Sequence, residues 1–166
     1  ISAVAIDNRR NWKRKHHMAL HMNYAKAPFY QDYRSFFEDI YNREWQHLND
    51  LNGQMLNMFL QWLDIDTKIV AASSISGLPE EPTDRLVSIV TALGGDTYLA
   101  GAGSRDYLDV SRFEAAGLRV VFQHYEPCEY RQLHDGFMPG MAIIDTLMNE
   151  GARTGSIIRA GRRTQL

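Results

Sequence analysis

The chain is poor in the features that most readily reveal a class of protein. It has one cysteine, Cys128, among 166 residues, which excludes an internal disulfide framework and favours a reducing, cytoplasmic location. No apolar run approaches the roughly 20 residues of a membrane-spanning helix. Eighteen basic and 20 acidic residues give a net charge of -2, so the composition carries no strong nucleic-acid signal.

The sequence also lacks a recognisable metal motif. His17 and His21 are four residues apart on one face of a predicted helix, with His16 beside them, and this spacing can hold zinc. No glutamate occupies the position that zinc proteases use, and no third ligand is evident. We therefore interpret the stretch as a solvated basic helix face, expect no metal site, and name no cofactor.

The pattern that is present favours an α/β fold. Short β-prone runs at residues 2–7, 67–73, 97–100 and 118–124 predict strands, and the longer sequences between them have helical spacing. Helices are predicted at residues 12–24, 29–43, 48–63, 84–93, 107–116 and 142–149. Thr83 is the expected N-cap of the fourth helix. This alternation predicts a mainly parallel sheet with helices on both faces.

The predicted domain organisation is a single α/β domain over residues 1–151 and a basic tail over residues 152–166. The tail has four arginines and few apolar residues, so we expect it to fray or to dock elsewhere as an arm. Because the chain opens in a strand-like pattern, we also expect an incomplete N-terminus. One sheet edge or one wall of the site would then be completed by another segment.

The stretch from Gly94 to Tyr107 organises the predicted site. It reads as a helix end, a strand, a glycine-rich turn and the start of the next helix, which is the usual position of sites in open α/β sheets. Backbone N–H groups of Gly101, Gly103 and Ser104, with Arg105, could hold a phosphate or carboxylate, although a simple tight turn is the alternative.

Other candidates lie at neighbouring strand ends. Ser73 and Ser74 either bind ligand or hydrogen-bond the loop, and Lys26 could attract an anionic substrate. A polar and aromatic cluster follows the last strand, formed by Tyr125, Glu126, Tyr130 and Gln132. We predict that one cleft is lined by Ser74, Gly101, Gly103, Ser104, Tyr107 and Tyr130.

Asp145 is conspicuous because it lies in an otherwise apolar helix. A buried carboxylate is costly unless it is paired, so Asp145 should either fix a nearby loop or take part in chemistry. We expect it behind the cleft, where it would hold the loop that carries Tyr130.

Several spaced motifs together resemble the WbqC-like proteins, over about residues 12–151. They are Tyr24-Ala25-Lys26-Ala27-Pro28-Phe29, Ser73-Ser74, Thr97-Tyr98-Leu99-Ala100-Gly101, Tyr107-Leu108, Gly117-Leu118, Tyr130-Arg131-Gln132, Phe137-Met138-Pro139 and residues 143–151. The family is associated with bacterial surface-polysaccharide and specialised-metabolite gene clusters. Its members usually carry an additional segment, rich in aromatic residues, before the region seen here.

Of two function classes that the sequence leaves open, we favour a small-molecule transferase that acts on a nucleotide-activated or carbohydrate-related substrate. Tyr107, Tyr130 and Asp145 would be its catalytic residues and would orient the acceptor, and the glycine turn would hold an anion. The alternative is a noncatalytic accessory or scaffold protein in the same pathway. The expected partner is a small, anionic molecule, and homo-oligomerisation is left open.

Overall fold

The computed structural model describes residues 3–164, which form two compact units. The first unit contains residues up to Asp66 and residues Pro127–Ala160, and the second contains Thr67–Glu126 and the residues from Gly161 onwards. About half of the chain is helical. Among the described residues there is one sheet, which has two parallel strands.

The first unit is helical, and its core is aromatic. Its helices are α1 (Trp12–Tyr24), α2 (Tyr30–Asn42), α3 (Leu48–Trp62), α6 (Ile143–Glu150) and α7 (Thr154–Ala160). Helix α2 buries Tyr30, Tyr33, Phe37 and Ile40, which recur at helical spacing and so share one face. Leu147 and Met148 of α6 pack into the same core.

The second unit has the two strands and two helices around a smaller core. These elements are α4 (Pro82–Ala92), β1 (Thr97–Ala100), α5 (Val110–Ala115) and β2 (Arg119–Phe122). The strands pair from Thr97 with Arg119 to Ala100 with Phe122. Phe113 of α5 is fully buried and stacks on Tyr98 at a centroid distance of 5.2 Å.

Two of the four predicted strands are present, and they are parallel as expected. The strand predicted at residues 2–7 is wrong over its described part, where Ala5 makes one antiparallel bridge to His47; Ile1 and Ser2 lie outside the described residues. The strand predicted at 67–73 is also wrong. Residues 67–73 are largely exposed and lead into a 3₁₀ turn at Ala72–Ser74. Among the described residues, no strand pairs with this run, and even Ile69 is 53% exposed, so the run buries little apolar area.

The predicted sheet with helices on both faces is therefore not confirmed, and the parallel arrangement extends over two strands. All six predicted helices are present with small shifts of their ends. The predicted cap at Thr83 is wrong: Glu81 is the N-cap and accepts a hydrogen bond from Asp84 N at 2.7 Å, and Thr83 is buried within the helix.

The described part of the C-terminal segment, residues 152–164, contains a helix followed by a stretch that is hydrogen-bonded to His124 and Glu126. Residues Thr154–Ala160 form helix α7. Beyond it, Arg163 N donates to the carbonyl of His124 at 2.9 Å, and its guanidinium pairs with Glu126 at 2.9 Å.

Candidate functional site

A buried carboxylate on α6 collects three side-chain hydrogen-bond donors from distant parts of the first unit. Asp145 is 6% exposed. Its Oδ1 accepts a hydrogen bond from the Tyr24 hydroxyl at 3.1 Å, and its Oδ2 accepts from the Tyr130 hydroxyl at 2.7 Å and the Gln132 amide at 3.1 Å. Both oxygens of the carboxylate thus accept hydrogen bonds, and these bonds offset the cost of burying the charge.

Local structure places each of these groups. Asp145 lies in the first turn of α6, and Tyr24 is the last residue of α1. Tyr130 and Gln132 belong to the irregular segment before α6. The Gln132 side chain also forms two hydrogen bonds within this segment. It donates to Met138 O at 3.0 Å and accepts from Met138 N at 2.8 Å. Gln132 therefore joins the loop to the carboxylate.

Both phenols are held in their protonated form. Burial, reinforced by the charge and hydrogen bond of Asp145, raises the pKa of Tyr24 to about 12. Burial and the hydrogen bond to Asp145 likewise raise the pKa of Tyr130. Ionising either phenol would place a second negative charge beside the carboxylate. At neutral pH these tyrosines are therefore hydrogen-bond donors rather than bases or nucleophiles.

Three members of this cluster, Tyr24, Gln132 and Asp145, line a cavity of about 270 Å³. The apolar lining comes mainly from Leu133, Phe137, Met138 and Met141. The remaining lining residues are Asn23, Tyr24, Gln132, His134, Asp135, Gly136 and Asp145. An apolar surface with a few polar groups at fixed positions is typical of small-molecule sites. We call this space the tyrosine cavity.

A second cavity of about 260 Å³ adjoins it. The two share Gln132, Leu133 and Asp135, and the other lining residues of the second are Lys26, Pro28, Arg131 and Asn149. We call it the lysine–arginine cavity. Together the two volumes fall within the roughly 300–1,000 Å³ range of ligand pockets.

The predicted site residues fall in different units. Lys26, Tyr130 and Asp145 belong to the first, whereas Ser73, Ser74, Gly101, Gly103, Ser104, Arg105 and Tyr107 belong to the second. Within the first unit, the expected contact between Asp145 and the loop carrying Tyr130 is present. The single cleft predicted for both groups and the catalytic roles of their members stay predictions.

In the second unit, the glycine-rich segment forms a 3₁₀ turn at Ala102–Ser104. The Ser104 hydroxyl is buried and donates to the carbonyl of Gly101 at 2.6 Å, closing the turn internally. The Arg105 guanidinium lies over the ring of Phe122, 4.2 Å from its centroid, and Tyr107 is 76% exposed. Ser73 and Ser74 lie in a separate 3₁₀ turn rather than at the end of a strand.

The polar and aromatic cluster predicted after β2 is divided between the units. Tyr125 and Glu126 belong to the second unit, where Glu126 N donates to Gly161 O at 2.9 Å. Tyr130 and Gln132 belong to the first. The cluster is divided because the chain leaves the second unit after Glu126 and enters the first unit at Pro127.

Sequence reasoning gave no role to Tyr24 or to the cavity residues Asn23, His134 and Asp135. Tyr24, Phe137 and Met138 do occur in the motifs that carry the family resemblance. The three histidines of α1 have packing partners: His16 meets Trp12, His17 stacks on Tyr41, and His21 lies 3.0 Å from the Tyr30 hydroxyl. No cluster of metal-ligating side chains occurs within residues 3–164.

The described residues are about half helical with one two-stranded parallel sheet, and their first unit has a candidate small-molecule site beside a buried carboxylate. The chain belongs to the WbqC-like protein family, whose model matches residues 1–157. It is 31% identical over 166 residues to the uncharacterized protein Rv1507c of Mycobacterium tuberculosis, covering 98% of this chain and 71% of that protein. No solved structure matches the chain. None of the helices within residues 3–164 is long and apolar enough to cross a membrane.

Proposed function

We propose that the protein is a small-molecule transferase that uses the tyrosine cavity to bind a nucleotide-activated or carbohydrate-related substrate. The observation that carries the proposal is the convergence of Tyr24, Tyr130 and Gln132 on Asp145 at the cavity wall. A scaffold protein has no need to hold several polar groups at the wall of a concave, ligand-sized pocket.

The lining suits the ring of a sugar or a nucleoside. Phe137 and the methionines Met138 and Met141 offer apolar surface to a ring face, while the polar groups can bind its hydroxyls. Phe137 is fixed by an edge-on contact with Tyr130, at a centroid distance of 5.4 Å. The residues that hold the carboxylate thus also position the apolar wall.

The roles of the polar groups follow from their hydrogen bonds. Asp145 accepts three donors, so it is better suited to positioning Tyr24, Tyr130 and Gln132 than to removing a proton from a substrate. The lining residues His134 and Asp135 are exposed and are of types that act as general bases. We assign one of these two to the proton of the acceptor hydroxyl.

In such a transfer, the acceptor oxygen bonds to the transferred group as the nucleotide phosphate oxygen leaves. The acceptor proton passes to the base. For the second unit taken by itself, the glycine turn with Gly101, Gly103 and Arg105 keeps its proposed role as an anion-binding segment, and Tyr107 beside it keeps its proposed role in orienting a ligand. The natural setting that we propose is surface-polysaccharide or specialised-metabolite biosynthesis.

The test is to incubate the protein with a panel of nucleotide sugars and acceptor sugars and to follow the released nucleotide by mass spectrometry. We expect release with at least one pair, and its loss in the double variant His134→Ala, Asp135→Ala. The exposed double variant His16→Ala, Asp50→Ala is the control. Binding of the same compounds without turnover would instead favour the accessory protein, and release that survives in the His134, Asp135 double variant would contradict the assignment of the base.

A further inference from the structure

The lysine–arginine cavity has two cationic side chains at its edge, Lys26 and Arg131, that pair with no acidic side chain in the described part of the chain. Most other basic side chains of the first unit are paired, as in Arg34–Glu38 at 2.6 Å and Arg43–Asp39 at 3.2 Å. Within residues 3–164, neither the Lys26 ammonium nor the Arg131 guanidinium forms a salt bridge. Their charges are therefore available to a ligand.

The surrounding structure fixes the backbone on both sides of this cavity. Arg131 N donates to the nearly buried carboxylate of Glu150 at 3.3 Å, and Phe29 N, three residues after Lys26, donates to Met148 O at 3.0 Å. The two cations thus lie on segments that are each tied to α6. A compact anion could contact both cations with little change in the backbone.

The charge balance within this cavity is positive but small. Lys26 and Arg131 are opposed by one carboxylate, that of Asp135. Asp135 lines both cavities, so it can accept hydrogen bonds from hydroxyls of a ligand that extends from one cavity into the other. A guanidinium and an ammonium together match the separate phosphoryl groups of a diphosphate.

We propose that the lysine–arginine cavity is a diphosphate subsite, in which Lys26 and Arg131 bind the two phosphoryl groups of the substrate. This inference rests on the proposed function in one respect, which is that the ring of the same molecule occupies the tyrosine cavity. The substrate class is thereby narrowed to nucleoside diphosphates and their sugar derivatives. Diphosphate binding can nevertheless be measured without the ring.

The experiment is isothermal titration of the full chain with inorganic pyrophosphate, with divalent metal removed by a chelator. Lys26→Gln and Arg131→Gln should each weaken binding roughly tenfold, because each removes a charge-assisted contact. The matched controls are Lys15→Gln and Arg14→Gln, exposed cations on α1 that line neither cavity. These controls should bind as the wild type does.

Asp135→Asn provides a test of opposite sign. Removing the opposing carboxylate should strengthen pyrophosphate binding several-fold, a result that loss of folding could not produce. The proposal is overturned if the wild-type protein does not bind millimolar pyrophosphate, if the two cation variants bind as their controls do, or if Asp135→Asn weakens binding.

A third variant separates the failure of this proposal from failure of the proposed function. Met141→Trp places bulk in the tyrosine cavity only, so it should leave pyrophosphate binding unchanged and weaken binding of UDP-glucose. Suppose that pyrophosphate binding depends on Lys26 and Arg131 while Met141→Trp binds UDP-glucose as tightly as the wild type does. The diphosphate subsite is then supported and the ring site is contradicted. If instead Met141→Trp weakens UDP-glucose binding while the Lys26 and Arg131 variants bind pyrophosphate as the wild type does, the ring site is supported and the diphosphate subsite is contradicted.

Discussion

At the scale of residues, the protein uses one carboxylate to fix two tyrosines and one glutamine. Tyr24 and Asp145 are 121 positions apart in sequence, so their hydrogen bond joins the end of α1 to the start of α6. Because a buried group that loses its partner is costly, each member of the cluster should matter more than its single hydrogen bond suggests.

The raised pKa of Tyr24 predicts a specific alkaline behaviour. A phenol in the unfolded chain has a pKa near 10, whereas that of Tyr24 in the folded protein is about 12. Between these pH values the unfolded chain has released the proton that the folded protein retains. The stabilisation from this phenol is therefore complete below roughly pH 10 and falls as the pH rises toward 12.

This prediction can be measured by titrating tyrosinate absorbance in the wild type and in Tyr24→Phe. The difference between the two curves should show a phenol with a midpoint of about 12. A difference curve centred near pH 10, the ordinary pKa of a phenol, would show that burial and the contact with Asp145 do not raise the pKa of Tyr24.

Gln132→Glu tests the glutamine that joins the loop to Asp145. The substitution removes the donor to Asp145 and Met138 O and places a second carboxylate beside the first. We expect the free energy of unfolding to fall by about 1–3 kcal/mol at neutral pH, and by less in acid, where carboxylates are protonated. Chemical denaturation provides the measurement. Gln61→Glu, at an exposed position of α3, is the control because it introduces the same charge away from Asp145. An equal effect of the two variants would contradict the role of Gln132.

At the scale of elements, helices were predictable because their signal is local. The aromatic residues of α2 recur at helical spacing, and the core side of that helix follows from the pattern alone. The β-branched run of β2 likewise indicates a strand. The strand predicted at residues 67–73 is absent, because a β-prone run forms a strand only where it finds a partner strand and buries enough apolar area.

The site was predictable only in part, for the same reason. Asp145 stands out as a carboxylate in an apolar helix, so its burial and its contact with the Tyr130 loop could be anticipated. Nothing in the sequence near Tyr24 shows that its hydroxyl reaches Asp145, since this depends on the packing of α1 against distant segments. The lining of the tyrosine cavity depends on a loop whose course is fixed by Gln132.

Three glycines allow the cost of a side chain to be separated into strain and collision. Gly103 has no positive φ, and a Cβ added there would meet no atom within 4 Å. Gly140 has a φ of +75° and open space around it. Gly151 has a φ of +56°, and a Cβ added there would lie 2.5 Å from the Phe29 ring. We expect Gly103→Ala to change stability by less than about 0.5 kcal/mol. Gly140→Ala should cost about 1 kcal/mol from backbone strain.

Gly151→Ala should cost the most, with overpacking adding about 1–3 kcal/mol to the strain. Thermal or chemical unfolding of the three variants provides the measurement. If Gly151→Ala were no less stable than Gly140→Ala, the close approach of Gly151 to the Phe29 ring would be wrong. A large effect at Gly103 would mean that its turn has a backbone requirement that the φ angle does not show.

At the scale of the whole molecule, the two compact units contribute different things. The first contains both cavities and the buried carboxylate, and the second contains the parallel strands and the glycine-rich turn. The proposed function therefore depends chiefly on the first unit. The central claim is that the tyrosine cavity of this unit binds the ring of a carbohydrate or nucleotide.

The most direct test of that claim is calorimetric titration of nucleotide sugars, beginning with UDP-glucose, into the wild type, Met141→Trp and Met18→Trp. Both methionines are partly exposed, but only Met141 lines the tyrosine cavity. The account predicts that the wild type and Met18→Trp bind at least one compound equally, and that Met141→Trp binds it at least about tenfold more weakly, a loss of roughly 1.4 kcal/mol. Equal binding by all three proteins, or no binding of any compound to the wild type, would contradict it.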